Sequence, residues 1–408
     1  MALTDAPAFE TQLPTANFEI VRGIDALARL KEAWIALEGA LGEPDFFQSF
    51  AWSMHVASIR IANSGSQFEP LAGVLRSGGR TIGLWPLSRQ RKAGQWELRA
   101  IDDPFGQLTC VLAIDGASSR QLVVETLNAV RTSGLAHSAC FERVIQGSAL
   151  ASALSLAGAK ARNPVDAPFL DFRPYASFAE FRQSRNKKTM KNLRNSFNRA
   201  ERAGVLASTR SDTQEGCRAI ARTALDMREA WLAATGKTAP AFRVAGFAEV
   251  LAGGEAWGLG AKQLAFELTL DNRSIAQQIG FRHGGRYYAY ISGMDWAHED
   301  LGPGRMHLAR VMEDAMGLGL DGAELLTPAS DYKLVWTDDR RRLADMVLAL
   351  SLAGRVKQSL WDEGLRPAFK SAYYAMPAPL RRMLTGRAHA GVAVAGNVAP
   401  RRGDLPLR

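Results

Sequence analysis

Cysteine is scarce in this 408-residue chain: Cys110, Cys140 and Cys217 lie far apart, an odd set that forms neither a disulfide framework nor a CxxC metal half-site. A reducing, cytoplasmic setting is expected. Long apolar runs are missing too. The most apolar stretches, residues 343–352 and 391–396, fall well short of the roughly 18–20 residues that span a bilayer. The first twenty residues lack a basic start followed by an apolar core, so no signal peptide is read there. Histidine is sparse, at six, and no pair has the helical His-x-x-x-His spacing, so no zinc site or other metal is expected.

What is present is ordinary for a soluble globular protein: 47% hydrophobic, 22% charged and 8% aromatic residues. The length suits two or three compact units. The net charge of +9 is localised. Residues 182–202 hold eight Lys/Arg against one Glu, and residues 377–408 hold six Arg against one Asp. An anionic partner, tRNA or a polysaccharide, would meet those two places, the first through Arg185, Lys187, Lys188, Lys191, Arg194, Arg199 and Arg202. A solvated helix face accounts for the same residues.

Hydrophobic patterning gives an α/β order twice. Residues 18–163 read as one domain, with a hairpin at Gly78-Gly79, and residues 164–350 as a second. A terminal amphipathic helix follows over 351–376, with basic positions Arg355, Lys357, Arg366 and Lys370, and a basic tail over 377–408. In the second domain Ser177-Phe178-Ala179-Glu180 has the form of a capping box opening one long helix to Gly204. Its stripe is Met190, Leu193, Phe197 and Ala200. The clearest segment is a three-strand meander over 264–270, 275–282 and 287–294. It runs into Leu301-Gly302-Pro303-Gly304 and a helix from Arg305.

A strand feeding a Gly-rich turn and a helix start can hold an anion, because the first-turn N–H groups have no intrahelical partner. Gly302 and Gly304 expose the backbone, Pro303 stiffens it and Arg305 adds a cation, an arrangement suited to the pyrophosphate of coenzyme A. Gln277 and Gln278 sit in an alternating strand, so one should point inward, as a core amide or a substrate contact. Tyr287, Tyr288 and Tyr290 suit stacking or plain sheet packing. His298, with Glu299 and Asp300, is either a base near the cleft mouth or a solvated loop.

The run IAQQIGFRHGGRYYAYISGMDWAHEDLGPGRMHLARVMEDAMGLGLDGAELLTPASDYKLVW resembles the catalytic domain of GNAT-superfamily acyltransferases, closest to those grouped with the cellulose-biosynthesis protein CelD and distantly similar to the FemAB transferases. Phe46-Phe47-Gln48-Ser49-Phe50-Ala51-Trp52, Ile101-Asp102-Asp103-Pro104-Phe105-Gly106, the basic helix 184–202 and Asp331-Tyr332-Lys333 fit the same family. The resemblance implies two tandem GNAT-like domains, each a mixed twisted sheet flanked by helices, with acyl-CoA at the splayed strands of the second. It implies Gly302, Gly304 and Arg305 on the pyrophosphate and Ser292 and Gly293 near the oxyanion. Asp331 would be the base and Tyr332 the acid for the thiolate, with Lys333 beside them. Acceptor contacts would come from Gln48, Trp52, Asp103, Phe105, Gln278 and Tyr290.

In an extended strand Asp331 and Lys333 share a face and Tyr332 points away; an N-capped turn with a solvated Lys is the other reading. The turn departs from the family's fuller Arg/Gln-x-x-Gly-x-Gly/Ala pattern. The first domain has no Gly-rich helix entry and reads as a substrate-side partner. The expected activity is acyl transfer from acyl-CoA, acetyl-CoA first, with no tightly bound cofactor, to an amine or hydroxyl in polysaccharide or cell-envelope metabolism. A FemAB-like aminoacyl-tRNA transferase and a non-catalytic polysaccharide-binding module are the alternatives.

Overall fold

The computed structural model describes residues 16–42, 45–237, 239–253 and 262–377. The stretch before residue 16 and the basic tail from residue 378 lie outside the described residues. The chain opens with β1 (Asn17–Arg22), α1 (Ile24–Ala28), α2 (Lys31–Leu41), a 3-10 turn at Phe46–Gln48 and α3 (Phe50–Ser64). Strands β2 (Phe68–Ser77), β3 (Arg80–Lys92), β4 (Gln95–Ala100) and β5 (Leu112–Ala113) follow, then α4 (Gly116–Thr132), β6 (Ser138–Ile145) and α5 (Ala149–Leu156). The next elements are β7 (Lys160–Asp171), α6 (Phe178–Gln183), α7 (Lys187–Ala203), β8 (Leu206–Ser211), α8 (Gln214–Thr235) and α9 (Phe247–Leu251).

The meander is β9 (Lys262–Leu270), β10 (Arg273–His283) and β11 (Arg286–Met294), followed by α10 (Pro303–Gly317), β12 (Gly322–Glu324), α11 (Asp331–Leu334) and β13 (Arg340–Ala349). A terminal helix runs as α12 (Leu352–Lys357), a π-helical stretch Gln358–Leu365 and α13 (Arg366–Ala375).

Local chemistry sets several of these limits. Ser49, Asp115, Ser148, Ser177, Thr213 and Ser351 each accept a first-turn N–H and so start a helix. The single helix expected after Ser177 is two helices. Asn186 turns its side chain onto the Lys188 and Thr189 N–H groups and caps a new one, α7. The expected stripe is kept: Leu193 and Ala200 are buried, with Met190 and Phe197 packed against the same core. Residues 331–334 form a one-turn helix after Ser330 rather than a strand.

The strands form one 13-stranded mixed sheet, ordered β1-β2-β3-β4-β6-β13-β7-β12-β11-β10-β9-β8, with β5 on β3. Only β4–β6 and β11–β12 are parallel among the named pairs. Strand β7 belongs to both halves: its residues up to Pro168 pair with β13 and Phe169–Asp171 pair with β12. The boundary expected at 163/164 lies inside that strand. Strand β13, the last among the described residues, sits between β6 and β7. In the second half one sheet face packs on α6, α7 and α10. The other packs on α8, α9 and the first-half segments carrying Phe46, Phe47, Trp52, Phe105 and Leu108. This second core joins the halves.

Candidate active site

The meander delivers β11 to the centre of the second half, where it meets β12 in parallel. Pairing covers only Arg286–Gly322, Tyr287–Ala323 and Tyr288–Glu324. Past Tyr288, β12 ends at Glu324 while β11 continues to Met294, leaving that edge of β11 without a strand partner as a wedge with backbone along one side. A bulge at Ile279/Gly280 shifts the β10–β11 register beside it.

Helix α10 enters at this opening. Gly302 has φ of +72°, and a Cβ there would lie 2.9 Å from the Arg305 guanidinium. The Gly302 N–H goes to Glu299 O at 2.9 Å, Pro303 has none, and the Arg305 and Met306 N–H groups turn back to Gly302 O at 3.2 and 3.4 Å. Gly304 is left as the first-turn residue whose N–H has no backbone acceptor among the described residues. Arg305 is exposed. The Ser196 hydroxyl of α7 would lie 3.4 Å from the same Cβ, and Arg199 donates to that hydroxyl at 3.5 Å. Two guanidinium groups thus flank the turn. Lys187, Lys188, Lys191, Arg194, Arg199 and Arg202 are all exposed along α7.

On β11, Ser292 is half-buried opposite Gln278 and Gly293 is buried opposite Gln277. A Cβ on Gly293 would meet the Ala224 carbonyl of α8 at 3.0 Å, a tight approach that glycine makes without strain. Both glutamines are buried, at 0% and 6% exposure, because the sheet is covered on both faces. The expected inward glutamine is present, and its neighbour is buried as well. Gln278 donates to Ile279 O and Ile291 O, at 3.2 and 3.0 Å. Gln277 donates to Ser274, and its Oε1 is buried with no partner.

The remaining residues expected at the acceptor gather where the first half meets β11. Tyr290 donates its hydroxyl to Phe105 O at 2.6 Å, and burial pushes its phenol well above the usual range. Phe105 stacks on Phe247 with centroids 5.2 Å apart. Gln48 donates to Leu108 O at 3.0 Å and accepts from the Cys110 thiol at 2.9 Å. Trp52 donates to Asp102 at 2.7 Å, while Asp103 accepts from Arg99 at 2.5 Å. Gln48, Trp52, Asp103 and Phe105 are therefore buried and internally bonded, a wall beneath the wedge.

The three residues 331–333 separate around the one-turn helix. Asp331 is exposed and Tyr332 is half-buried against the core. Lys333 is not solvated as an ordinary turn lysine would be: its Nζ donates to Leu325 O at 2.7 Å and Leu326 O at 3.1 Å, just past β12. Burial, with the Arg228 charge second, pushes its ammonium down to about 8. Of the histidines, His298 Nδ1 lies 3.2 Å from Asp295, and His283 and His307 are buried with both ring nitrogens unpartnered. Burial holds the latter two down at about 4 and about 3. Among the described residues no group of three or more His, Cys, Asp or Glu could hold a metal.

Sequence reasoning missed Asp45. Its carboxylate lies 3.4 Å from the Tyr288 hydroxyl and 3.7 Å from the Cys110 thiol, beside the last β11–β12 pair. Burial first, and the Glu324 charge second, push it up to about 6. It also missed Glu324, fully buried and gripped by Arg286 and Arg341, each at 2.9 Å. Neither residue sits in a local motif; both are assembled by contacts between distant segments.

Residues 187–334, from the start of α7 to the end of α11, match the family model described as an acetyltransferase (GNAT) domain. The chain is similar in structure to FemX at 10% identity, covering 81% of this chain and 98% of that one with a TM-score of 0.56. It is similar also to a conserved protein of unknown function from Bacteroides thetaiotaomicron, at 10% identity, with 82% and 100% covered and a TM-score of 0.51. A tandem GNAT protein from the clavulanic acid biosynthesis pathway aligns at 12% identity, 82% and 99% coverage and a TM-score of 0.47. At such identities these likenesses concern the fold. No curated protein matches the chain by sequence.

Proposed function

We propose that the chain is an acyltransferase that takes an acyl group from acyl-CoA, acetyl-CoA in the simplest case, and passes it to an amine or hydroxyl. The acceptor fits a sugar of polysaccharide or cell-envelope metabolism, in the manner of the CelD-type proteins, handled in the cytoplasm. The observation that carries this reading is the end of β11–β12 pairing after Tyr288, with α10 entering through Gly302-Pro303-Gly304, all inside the segment that matches the acetyltransferase domain.

In this reading the thioester lies in the wedge along Ser292 and Gly293, whose strand backbone meets the developing oxyanion. Gly304 N–H and Arg305 hold the donor's phosphates, joined by Arg199. The acceptor atom attacks the thioester carbonyl, its proton passes to a base, and the CoA thiolate leaves and is protonated. Asp331 is the base implied by family resemblance, yet it is exposed. Asp45, half-buried beside Tyr288 and with a proton affinity near neutrality, is better placed. Lys333 holds the chain after β12 against the wedge and sets one positive charge there.

A second reading has its own support. A first turn with so few unclaimed amides is a sparse diphosphate cradle, and the exposed cations of α7 beside it suit the phosphates of an aminoacyl-tRNA donor. Isothermal titration with CoA and acetyl-CoA, with Gly304→Glu beside the wild type, separates them. Binding by the wild type and loss in the variant supports acyl-CoA. No binding at millimolar ligand removes it, and a steeply salt-dependent tRNA complex would then take its place. Binding without turnover on any acceptor would mark a non-catalytic module.

A further inference from the structure

The terminal helix leaves several large apolar side chains in solvent. Its side toward the body holds Gly354, Lys357 and Gln358. Gly354 is buried against the His137 carbonyl, where a Cβ would collide, and Lys357 Nζ reaches Glu97 at 2.6 Å. Farther along, Tyr373 donates to Gly236 O at 2.9 Å. The solvent side holds Leu352, Val356, Leu360 and Leu365, exposed by 78%, 58%, 65% and 52%.

At about 100° per residue, Leu352 and Val356 lie on the side opposite Gly354 and Gln358. The longer step to Leu365 crosses the π-helical stretch, whose wider turn keeps Leu365 in line with Leu360. A helix that holds the protein through Gly354 and Lys357 and leaves Leu352, Val356, Leu360 and Leu365 outside presents an interaction face.

We propose that this stripe lies along an anionic lipid bilayer, with the helix in the plane of the headgroup–acyl boundary. Charge selects that occupant. The helix carries Arg355, Lys357, Arg366 and Lys370 against Asp362 and Glu363. The chain then continues from the helix end into residues 378–408, which add six Arg against one Asp. A second copy seated on the same face would bring two such basic segments together. No helix among the described residues is long and apolar enough to cross a membrane, which leaves binding along the surface.

The test is co-sedimentation of the full chain with vesicles of equal parts phosphatidylglycerol and phosphatidylcholine, and with phosphatidylcholine alone. Binding is expected on the anionic vesicles, falling as salt rises. Val356→Glu with Leu360→Glu should weaken it by about tenfold or more. Leu352→Ser with Leu360→Ser, a milder pair, should weaken it in the same direction, and circular dichroism checks that both variants remain folded.

No binding by the intact chain overturns the proposal, as does binding that both variants retain, which would assign it to the tail alone. A dimer in sedimentation velocity that the glutamate variant dissociates overturns it in favour of a second copy. Binding that appears only after residues 378–408 are deleted overturns it in favour of that segment covering the stripe.

Discussion

Trp52 donates its indole N–H to the Asp102 carboxyl across 2.7 Å, under the wall where the first half meets β11. Both side chains are almost fully buried, and a Cβ on the neighbouring Gly106 would collide with that carboxyl. The carboxyl is thus enclosed on every side but one hydrogen bond. Burial outweighs that bond and pushes Asp102 up to about 7.

A pH effect follows with a definite sign. The unfolded chain loses this proton near pH 4 and the folded chain near pH 7, so the folded state binds more protons between them. Asp102 therefore stabilises the fold at low pH, and its contribution falls as pH rises from about 4 to about 7, by on the order of 4 kcal/mol in all. Glu38, also raised to about 7, acts in the same sense, while the buried His283 and His307 oppose both below their unfolded range. Asp102→Asn isolates one group: urea unfolding of the variant between pH 5 and 7.5 should change less with pH than the wild type. An unchanged pH slope would refute the assignment.

Glu324 is the hub of an ion triad inside the sheet, held by Arg286 from β11 and Arg341 from β13. Removing the one anion leaves a buried guanidinium uncompensated. Glu324→Gln should cost about 3–5 kcal/mol in urea unfolding. Arg341→Leu should cost clearly less, since that side chain is 32% exposed while Arg286 is 9% exposed.

Two glycines near the wedge should respond differently to a methyl group. Gly293→Ala presses on the Ala224 backbone at 3.0–3.1 Å and should lower stability by about 1–3 kcal/mol. Gly304→Ala meets only the Met294 sulfur at 3.4 Å, so its thermal melting should stay close to wild type. Equal melting shifts in the two variants would contradict this geometry.

The roles given to the acidic residues can be split kinetically. Thiol release from acetyl-CoA against a panel of amino sugars should fall by about 10²–10⁴ in Asp45→Asn, with acetyl-CoA titration unchanged. Asp331→Asn should leave both close to wild type. The reverse pattern would return the base to Asp331.

The meander was legible because apolar and polar residues alternate between two turns, Asp271-Asn272 and Gly284-Gly285, which the structure places at positive φ. The helix entry was legible from Gly302 and Pro303. The short helix at Asp331 was not: Lys333 is charged and reads as solvated, and only the carbonyls of Leu325 and Leu326 keep its ammonium inside. Asp45 and Glu324 carried no local signal, since what defines them is partners more than 60 and 30 residues away, at Cys110 and Arg286. The same holds for β13, whose apolar run says strand but names no neighbour.

That neighbour has a bearing on how the molecule is made. Strand β6 ends at Ile145, yet the edge it presents is closed only by β13. At about 5–20 residues per second, roughly 200 further residues keep that edge waiting some 10–40 s after it leaves the ribosome. Until then the first half is a sheet with a seat kept empty, open to a stray strand. A chain stopped near residue 163 would never fill it. The two halves are thus synthesised in series but finished together, by the last strand to arrive.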